Sequence, residues 1–555
     1  MSKFNHSKYP AFQPLVMESR DWPNRQITQA PRWCSVDLRD GNQALIEPMN
    51  VDQKRALFDL LVKIGFKEIE IGFPAASQPD FDFCRSLIES NAIPDDVTVQ
   101  VLVQAREALI SRTFDALRGC RRAVVHVYNS TSTVQRDKVF KMDRQSIINI
   151  AVQGAEIIKR MAAEETGTEW VFQYSPESFT GTEIDYAVEI VDAVNNVWQP
   201  TPDKPVIINL PATVEMSTPN VYADQIEYFC KHVKNRDSLI ISLHTHNDRG
   251  CGVAAAELGL LAGADRVEGT LMGNGERTGN TDLVTMGMNM YSQGVNPELD
   301  FSNMDEIIQT YKYCTQLPVH PRHPYAGELV FTAFSGSHQD AIKKCLDLGD
   351  TENLWEVAYL PIDPHDIGRD YQEVIRINSQ SGKGGVAYVL EQEYGIQMPR
   401  WLQIEFSRVV QADAELSSGE LKGNRIYDLF KQAYLENASS AMTLRGYTIE
   451  RSDNVDQINA KVSLNGKDIS ITGQAGGVVE AFVKALQEHS GQQIVLVEYN
   501  EHALSKSVDS QAICYVQMNI GGTRYCAAAT SGDIIDASLS AIIGAFNRAQ
   551  VALAA

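Results

Sequence analysis

The sequence predicts an α/β protein: a (β/α)8 TIM barrel, then a mainly helical linker region, then a C-terminal α+β domain built of two related units. Three observations carry this prediction. From Trp33 onward, short apolar runs alternate with longer segments of helical spacing, and the short runs number eight. After about residue 300 the alternation stops. Beyond residue 460 a stretch of sequence recurs at a constant offset. A chain of 555 residues is also too long for one ordinary core.

The short runs, read as strands, are 33–38, 68–72, 97–103, 123–128, 169–174, 205–210, 239–243 and 266–272. Helical spacing marks 51–64, 142–163, 182–197 and 281–291. In the first of these, Ala56, Leu57, Leu60, Leu61 and Ile64 recur at steps of three and four, which buries one face. A doubly wound open sheet would show the same alternation, but a count of eight favours closure. Residues 1–30 read as an extended N-terminal arm and 31–300 as the barrel. Residues 301–425 read as helical linker subdomains with Pro318, Pro321, Pro324, Pro361 and Pro364, and 426–555 as the last domain. The glycine-rich stretch 377–385 lacks the spacing of a phosphate-binding loop.

The repeat pairs 461–486 with 516–542. Gly466 aligns with Gly522, Gly476 with Gly532, Ala481 with Ala537 and Ala485 with Ala541, while Glu480 matches Asp536. Each copy reads as strand, glycine turn, strand, loop, helix. Two such units can pack pseudo-symmetrically around a small-molecule pocket, or simply share a core.

Composition narrows the function classes. Hydrophobic residues make up 44% and charged residues 22%, the balance of a globular protein. The formal charge of −22 argues against a nucleic-acid partner, which needs basic patches. The nine cysteines are odd in number and contain no CxxC pair. That fits reduced thiols in the cytoplasm, not a disulfide framework or zinc knuckle. No apolar run reaches membrane-spanning length and the N-terminus lacks a signal-peptide core, so no membrane partner is expected.

In a (β/α)8 barrel the active-site groups lie at the C-terminal ends of the strands. The polar residues at those ends are Asp37, Arg39 and Asp40; Ser175 and Glu177; Thr213; His244 and His246; and Glu276 and Asn280. His244 and His246 are two apart in a strand and therefore face the same side. Such a pair is either a hydrogen-bonded strand end or half of a metal site. Asp40 and Asn280 at the same mouth favour the metal, as two nitrogens and two oxygens leave positions open on an octahedral ion. A 2-oxo acid can fill those positions with its carboxylate and ketone oxygens. Arg39 is either a structural ion-pair partner or a cation placed where an alkoxide would form. The segment from Gly273 to Asn280 is glycine-dense but is not a dinucleotide fingerprint, and it follows the eighth strand instead of the first.

The segments Leu38-Arg-Asp-Gly-Asn-Gln43, Leu243-His-Thr-His-Asn-Asp248 and Gly273-Asn-Gly-Glu-Arg-Thr-Gly-Asn280 together resemble the 2-isopropylmalate and homocitrate synthase group. This group lies within the barrel superfamily that includes hydroxymethylglutaryl-CoA lyase. With its C-terminal repeat, the chain is most similar to the long-form 2-isopropylmalate synthases, from about residue 30 onward. The resemblance implies an acyltransferase that condenses acetyl-CoA, its co-substrate, with the 2-oxo acid 2-oxoisovalerate. Thioester hydrolysis follows, in the first committed step of leucine biosynthesis.

The resemblance also implies roles by position. Asp40, His244, His246 and Asn280 match ligands of a divalent metal ion (Mg, Mn or Zn), and a monovalent cation is a further activator. Arg39 matches the residue that stabilises the condensing oxygens. Ser175, Glu177 and Thr213 match substrate contacts, and Leu102 a wall of the alkyl pocket. His338 and Tyr371 match residues that the linker of the partner subunit lends to the site of a homodimer, and Glu276 matches the carboxylate paired with that histidine. On this reading the proton acceptor is His338 coupled to Glu276, with Glu177 second. The repeat matches a leucine-binding regulatory domain, although Gln474-Ala-Gly-Gly-Val-Val479 lacks the Asn-Gly-Pro often found there. The same chemistry on 2-oxoglutarate (homocitrate) or pyruvate (citramalate), and a non-catalytic amino-acid-binding regulatory protein, are the alternatives.

Overall fold

Strands flanked by helices on every side bury both faces along their whole length. This holds in the computed structural model, which describes residues 4–9, 11–333, 335–348, 354–369, 383–417, 421, 423–436, 441–452, 454–504 and 511–554. The strands Arg32–Ser35 (β1), Glu68–Gly72 (β2), Thr98–Gln104 (β3), Arg122–Ser130 (β4), Glu169–Glu177 (β5), Val206–Ala212 (β6), Leu239–Thr245 (β7) and Arg266–Gly269 (β8) close a barrel in sequence order. All neighbouring pairs are parallel, and β8 returns to β1 with Cys34 opposite Glu268. The expected fold class is therefore the observed one.

Helices alternate with the strands: Val51–Ile64 (α1), Gln78–Glu89 (α2), Glu107–Leu117 (α3), Arg144–Glu164 (α4), Ile184–Trp198 (α5), Pro219–His232 (α6), Gly252–Leu261 (α7) and Leu283–Tyr291 (α8). Helix α1 shows why its bounds were legible. Asn50 and Gln53 form a reciprocal capping box, and Gly65 at φ 114° ends the helix in the left-handed conformation that a side chain resists.

Two strand boundaries differ from expectation. The first strand ends at Ser35 instead of Leu38, because Asp37–Gly41 winds into a helical turn whose amides return to the Val36 carbonyl. The eighth ends at Gly269 instead of Met272, because Leu271–Gly273 turns and the Leu271 amide donates to Asp37. Both apolar runs continue past their strands because the turns themselves are buried.

The chain divides into two compact units, 1–330 with 366–368, and 331–365 with 369–555. The first holds the barrel and the helix Met304–Thr315 (α9). The second opens with the helices Gly336–Asp347 (α10), Lys383–Tyr394 (α11), Arg400–Ser417 (α12) and Gly423–Phe430 (α13). Most of the glycine-rich stretch 377–385 lies outside the described residues, as does Tyr371.

The repeat then appears as two β-β-β-α units. The first is Met442–Ser452 (β9), Val455–Leu464 (β10), Lys467–Ala475 (β11) and Val478–Ser490 (α14). The second is Ile494–Ala503 (β12), Ala512–Ile520 (β13), Thr523–Ser531 (β14) and Ile534–Ala554 (α15). Their sheets run β11-β10-β9 and β12-β13-β14, all antiparallel. Each unit thus carries one strand more than its sequence signature showed. The extra strands β9 and β12 are sheet edges with many exposed residues, and so they lack a strong apolar pattern. Ala481, Ala485, Ala537 and Ala541 share one hydrophobic core with Ile458, Val462, Val516 and Phe546. Among the described residues, no helix is long and apolar enough to cross a membrane, and none of the cysteines is paired.

Candidate active site and metal centre

The mouth of the barrel is built by the turn after β1 and the C-terminal ends of β5, β6 and β7, together with the loop after β8. Asp40 sits on the turn, and His244 and His246 close β7. Ligand atoms of all three lie within 4.8 Å of one another, and all three residues are buried. His244 Nε2 is 3.2 Å from Asp40 Oδ2 and 3.3 Å from His246 Nε2, while His246 Nε2 is 3.7 Å from Asp40 Oδ2. Two adjacent ligands held at about 2.1 Å from one small divalent ion stand about 3 Å apart, close to these separations.

Asn280 reaches the same place from the loop after β8, where it bridges to His246 through the backbone. Its Nδ2 donates to the Asn274 carbonyl, but its buried Oδ1 has no hydrogen-bond partner among the described residues. A buried amide oxygen left without a donor is costly, and a cation is the partner it lacks. The glycines of this loop make the placement possible. A Cβ at Gly279, where φ is 97°, would lie 2.0 Å from the Gly273 carbonyl, and one at Gly275 would lie 2.5 Å from Asn280 Nδ2. The donor set of one carboxylate, two imidazoles and one amide oxygen therefore fits a divalent ion.

Behind the mouth lies a network that the strand-end reading missed. Glu68, Glu70, Gln100, Gln173, Arg266 and Glu268 point into the barrel and are buried. Arg39 Nε donates to Glu70 Oε2 at 2.6 Å and Nη1 to Asp40 Oδ1 at 2.6 Å. Burial alone would discharge Arg39, but Asp40 and Glu70 hold its guanidinium protonated. Burial likewise works against the Asp40 carboxylate, yet Arg39 and the two imidazoles keep it well below the usual range. His244 Nδ1 lies 2.9 Å from Glu268 Oε2. Burial opposes its charge, but Asp40 and Glu268 raise its pKa to about 9. Burial lowers the pKa of His246, against the pull of Asp40 and with the help of His244 and Arg277 beside it.

The remaining residues line or flank a cleft of about 180 Å3. Arg39, Asp40, Leu102, Ser175, Glu177, Thr213, His244, His246 and Glu276 all line it. Glu177 accepts a hydrogen bond from Ser130, Thr213 Oγ1 accepts from the Ser178 amide, and Glu276 accepts from Gln43 at 3.3 Å. The structure does not bring Asp37 to the cleft: both its oxygens accept from the Leu271 amide, and burial raises its pKa to about 7. His338 belongs to the second compact unit, on α10, where its ring stacks on Tyr359 at 3.9 Å.

The cleft also includes His126, Asn209, Pro211 and Arg277, which sequence reasoning passed over. The strand alternation held a signal for the network. Glu68-Ile-Glu-Ile71 places two acids two apart within a run predicted to be buried, as do Arg266 and Glu268.

The HMGL-like family model matches residues 30–310, the span of the parallel barrel and of the carboxylate–imidazole cluster at its mouth. Beyond it, the family described as alpha-isopropylmalate synthase, post-catalytic domain-like, matches residues 328–391, and the LeuA allosteric (dimerisation) domain matches 420–550. The chain is 55% identical over 550 residues to the 2-isopropylmalate synthase of Parafrankia sp., covering 98% of this chain and 97% of that one. It is 52% identical to that of Clostridium acetobutylicum, covering 98% and 100%, and 55% identical to that of Rhodospirillum rubrum, covering 97% and 98%. The chain belongs to the 2-isopropylmalate synthase family and is an enzyme of that family.

Proposed function

We propose that this enzyme condenses acetyl-CoA with 2-oxoisovalerate (3-methyl-2-oxobutanoate) and hydrolyses the thioester, releasing 2-isopropylmalate and CoA at the entry to leucine biosynthesis. The observation that carries the reading is the convergence of Asp40, His244 and His246 beside a locked Arg39 in one small cleft, with the unpartnered Asn280 Oδ1 on the strand-like segment that bridges to His246. These four residues would hold a divalent ion (Mg, Mn or Zn), which supplies Lewis acidity toward the ketone of the 2-oxo acid. Arg39, fixed by two carboxylates, keeps its charge where the ketone oxygen becomes an alkoxide and needs no reorganisation to meet it. Leu102 and Pro211 give the cleft its apolar surface, which suits a branched alkyl group.

The acceptor preference follows from the cations. Besides Arg39, the arginine lining the cleft is Arg277, and Asp248 engages it at 2.7 Å. A 2-oxoglutarate site would need a cation for the second carboxylate, so the branched monocarboxylate is favoured over the homocitrate reading. Ser175, Glu177 and Thr213 are the substrate contacts. His338 paired with Glu276 is the first candidate for the base that removes the methyl proton, and Glu177 the second; Tyr371 assists. Leucine is the effector that the repeat recognises, and the enzyme works as a homodimer in the cytoplasm, activated further by a monovalent cation. The match to the LeuA allosteric (dimerisation) domain supports the regulatory and dimer assignments.

Thiol release from acetyl-CoA with a panel of 2-oxo acids tests the reading, each with metal, with chelator and with leucine. Chelator-sensitive release fastest with 2-oxoisovalerate and suppressed by leucine is expected. Faster release with pyruvate or 2-oxoglutarate would overturn the acceptor, and no release with any acceptor would overturn the reaction.

A further inference from the structure

Of the groups lining the cleft, His126 has no part in the reaction described above, yet both its ring nitrogens are engaged. Its ring is buried between β3 and β5, with Nδ1 2.9 Å from Glu70 Oε1 and Nε2 2.7 Å from Ser175 Oγ. Glu70, Ser175 and His126 therefore form a linear carboxylate–imidazole–hydroxyl chain that ends at the cleft.

The direction of the protons follows from counting donors. Gln100 Nε2 approaches Glu70 Oε1 at 3.0 Å and Glu268 Oε1 at 3.1 Å, so its two hydrogens are taken by two carboxylates. The Glu70 oxygen beside His126 is an acceptor, so Nδ1 must carry the imidazole proton. In the neutral ring Nε2 then keeps its lone pair and accepts the Ser175 hydroxyl proton. Asn209 Nδ2 donates to Ser175 Oγ at 3.1 Å, which leaves one lone pair on that oxygen. Asn209 Oδ1 is buried and has no partner among the described residues.

Two acceptor positions without donors thus remain on neighbouring residues that line the cleft, Ser175 and Asn209. A carboxylate brings only acceptors and cannot satisfy them. A molecule with two O–H donors can, and the smallest is water. The hydroxyl that this water meets is backed by a base whose other nitrogen is held by a carboxylate, the arrangement that lets a serine side chain lose its proton.

We propose that Ser175, His126 and Glu70 form a proton relay that activates the water for thioester hydrolysis, a step that rests on the condensation reading above. One water O–H bond breaks as the water oxygen bonds to the thioester carbonyl carbon. Its proton goes to Ser175 Oγ while the serine proton passes to His126 Nε2, and Glu70 stabilises the imidazolium. Collapse of the tetrahedral adduct breaks the C–S bond, and the proton returns through Ser175 to the departing thiolate. The sum is thioester plus water giving acid plus thiol, with no change in oxidation state. Arg39 holds the second Glu70 oxygen, so the carboxylate that orients the relay is also fixed against the residue facing the alkoxide.

The test separates the two halves of the reaction. The metal-loaded full-length enzyme, Ser175→Ala and His126→Gln are mixed with acetyl-CoA and 2-oxoisovalerate, quenched at intervals, and the condensed thioester and free thiol are each measured by mass spectrometry. Both variants are expected to lose thiol release by on the order of 10²–10⁴-fold, the usual cost of a general base. The condensed thioester should accumulate to the level of the enzyme. Ser175→Ala removes one oxygen and keeps the ring in place, so it decides the matter if His126→Gln misfolds. Condensation falling as far as hydrolysis in Ser175→Ala, with a raised KM for the 2-oxo acid, would show that Ser175 is a substrate contact alone and overturn the relay. Unchanged thiol release would also overturn it. A wild-type enzyme that forms no condensation product would remove the reading beneath the proposal, and the proposal with it. Wild-type turnover with no accumulation in either variant would sink the relay alone.

Discussion

The barrel interior and the C-terminal repeat bury their side chains by opposite means. Inside the barrel, Arg266 is fully buried and bonds Glu68, Gln100, Ser242 and Glu268. The repeat core is mainly apolar, with alanines of α14 and α15 set among Ile458, Val462, Val516 and Phe546, and its buried Asn547 pairs with the Met442 backbone and not with a charge. A buried ion pair is no more stabilising than well-packed apolar residues of equal volume, because desolvation offsets the attraction. Stability therefore does not account for the barrel network. What the network does is fix orientation: Glu268 holds His244, and Glu70 holds Arg39 and His126. The repeat core positions no such group and follows packing alone. The comparison teaches that the barrel gives up apolar burial in exchange for preorganisation at its mouth.

The largest effect should come where that preorganisation meets the chemistry. Asp40→Ala is expected to drop thiol release by more than the 10²–10³-fold that removing one preorganised electrostatic group costs. The circular dichroism spectrum should be unchanged, since Glu70 still pairs Arg39. Metal content after dialysis should fall as well. Retained turnover would mean that the mouth is not a metal centre, and the contrast between the two regions would lose its functional meaning.

Glu268→Gln sharpens the comparison one layer deeper. It leaves the shape nearly unchanged but weakens the hold on His244 Nδ1 and deprives Arg266 of a charge. Metal affinity of the full-length enzyme, read by calorimetry, should weaken by about 10–100-fold, as for other residues that orient a metal-bound imidazole. Stability in a urea titration should fall by about 3–5 kcal/mol, the cost of breaking a buried pair. A stable protein with weakened metal binding would assign the network to positioning alone. Loss of stability with unaltered affinity would assign it to packing.

These predictions also mark what was legible in the sequence. The barrel was, because eight buried strands alternating with amphipathic helices leave a long periodic trace, and because capping residues such as Asn50 and Gly65 announce helix ends. The strand-end residues Arg39, Asp40, His244, His246 and Asn280 were, since chain topology alone sends them to one mouth. Arg277 and Asn209 were not, because which residues share a cleft depends on side-chain directions that spacing does not carry. The network was half legible. Acids alternating within an apolar strand were visible in Glu68 and Glu70, but their partners Gln100 and Arg266 come from other strands, far along the sequence. In the repeat, β9 and β12 left little trace because sheet edges are not required to be apolar.

In the repeat, the sharpest mechanical test is a glycine. A Cβ on Gly473 would lie 2.1 Å from the Ala481 carbonyl and 2.9 Å from the Ala485 amide, so β11 and α14 touch through their backbones. At the matching position of the second unit stands Ala529, which already carries that methyl. Gly473→Ala should therefore cost about 1–3 kcal/mol by overpacking, seen as faster hydrogen exchange across 442–490. Thiol release in the absence of leucine should be retained. An unperturbed exchange pattern would show that the two units are interchangeable in packing, against the asymmetry seen here.

The smallest effect comes from an ion pair of the same chemistry as the one at Glu268, placed on the outside of the repeat. Glu480 and Lys484 lie one turn apart on α14 at 3.0 Å, with their side chains 62% and 49% exposed. Water screens the attraction and both side chains give up rotamer freedom to meet, so such a pair contributes only about 0.3–0.5 kcal/mol. Glu480→Gln should move the urea midpoint of the repeat barely beyond error, and high salt should remove even that difference. Glu268→Gln should remain costly at every salt concentration, because its partner Arg266 has no water to turn to. If the exposed pair proved as costly as the buried one, burial would not be what separates the two regions. The orientation argument for the barrel would then have to rest on the metal affinity alone.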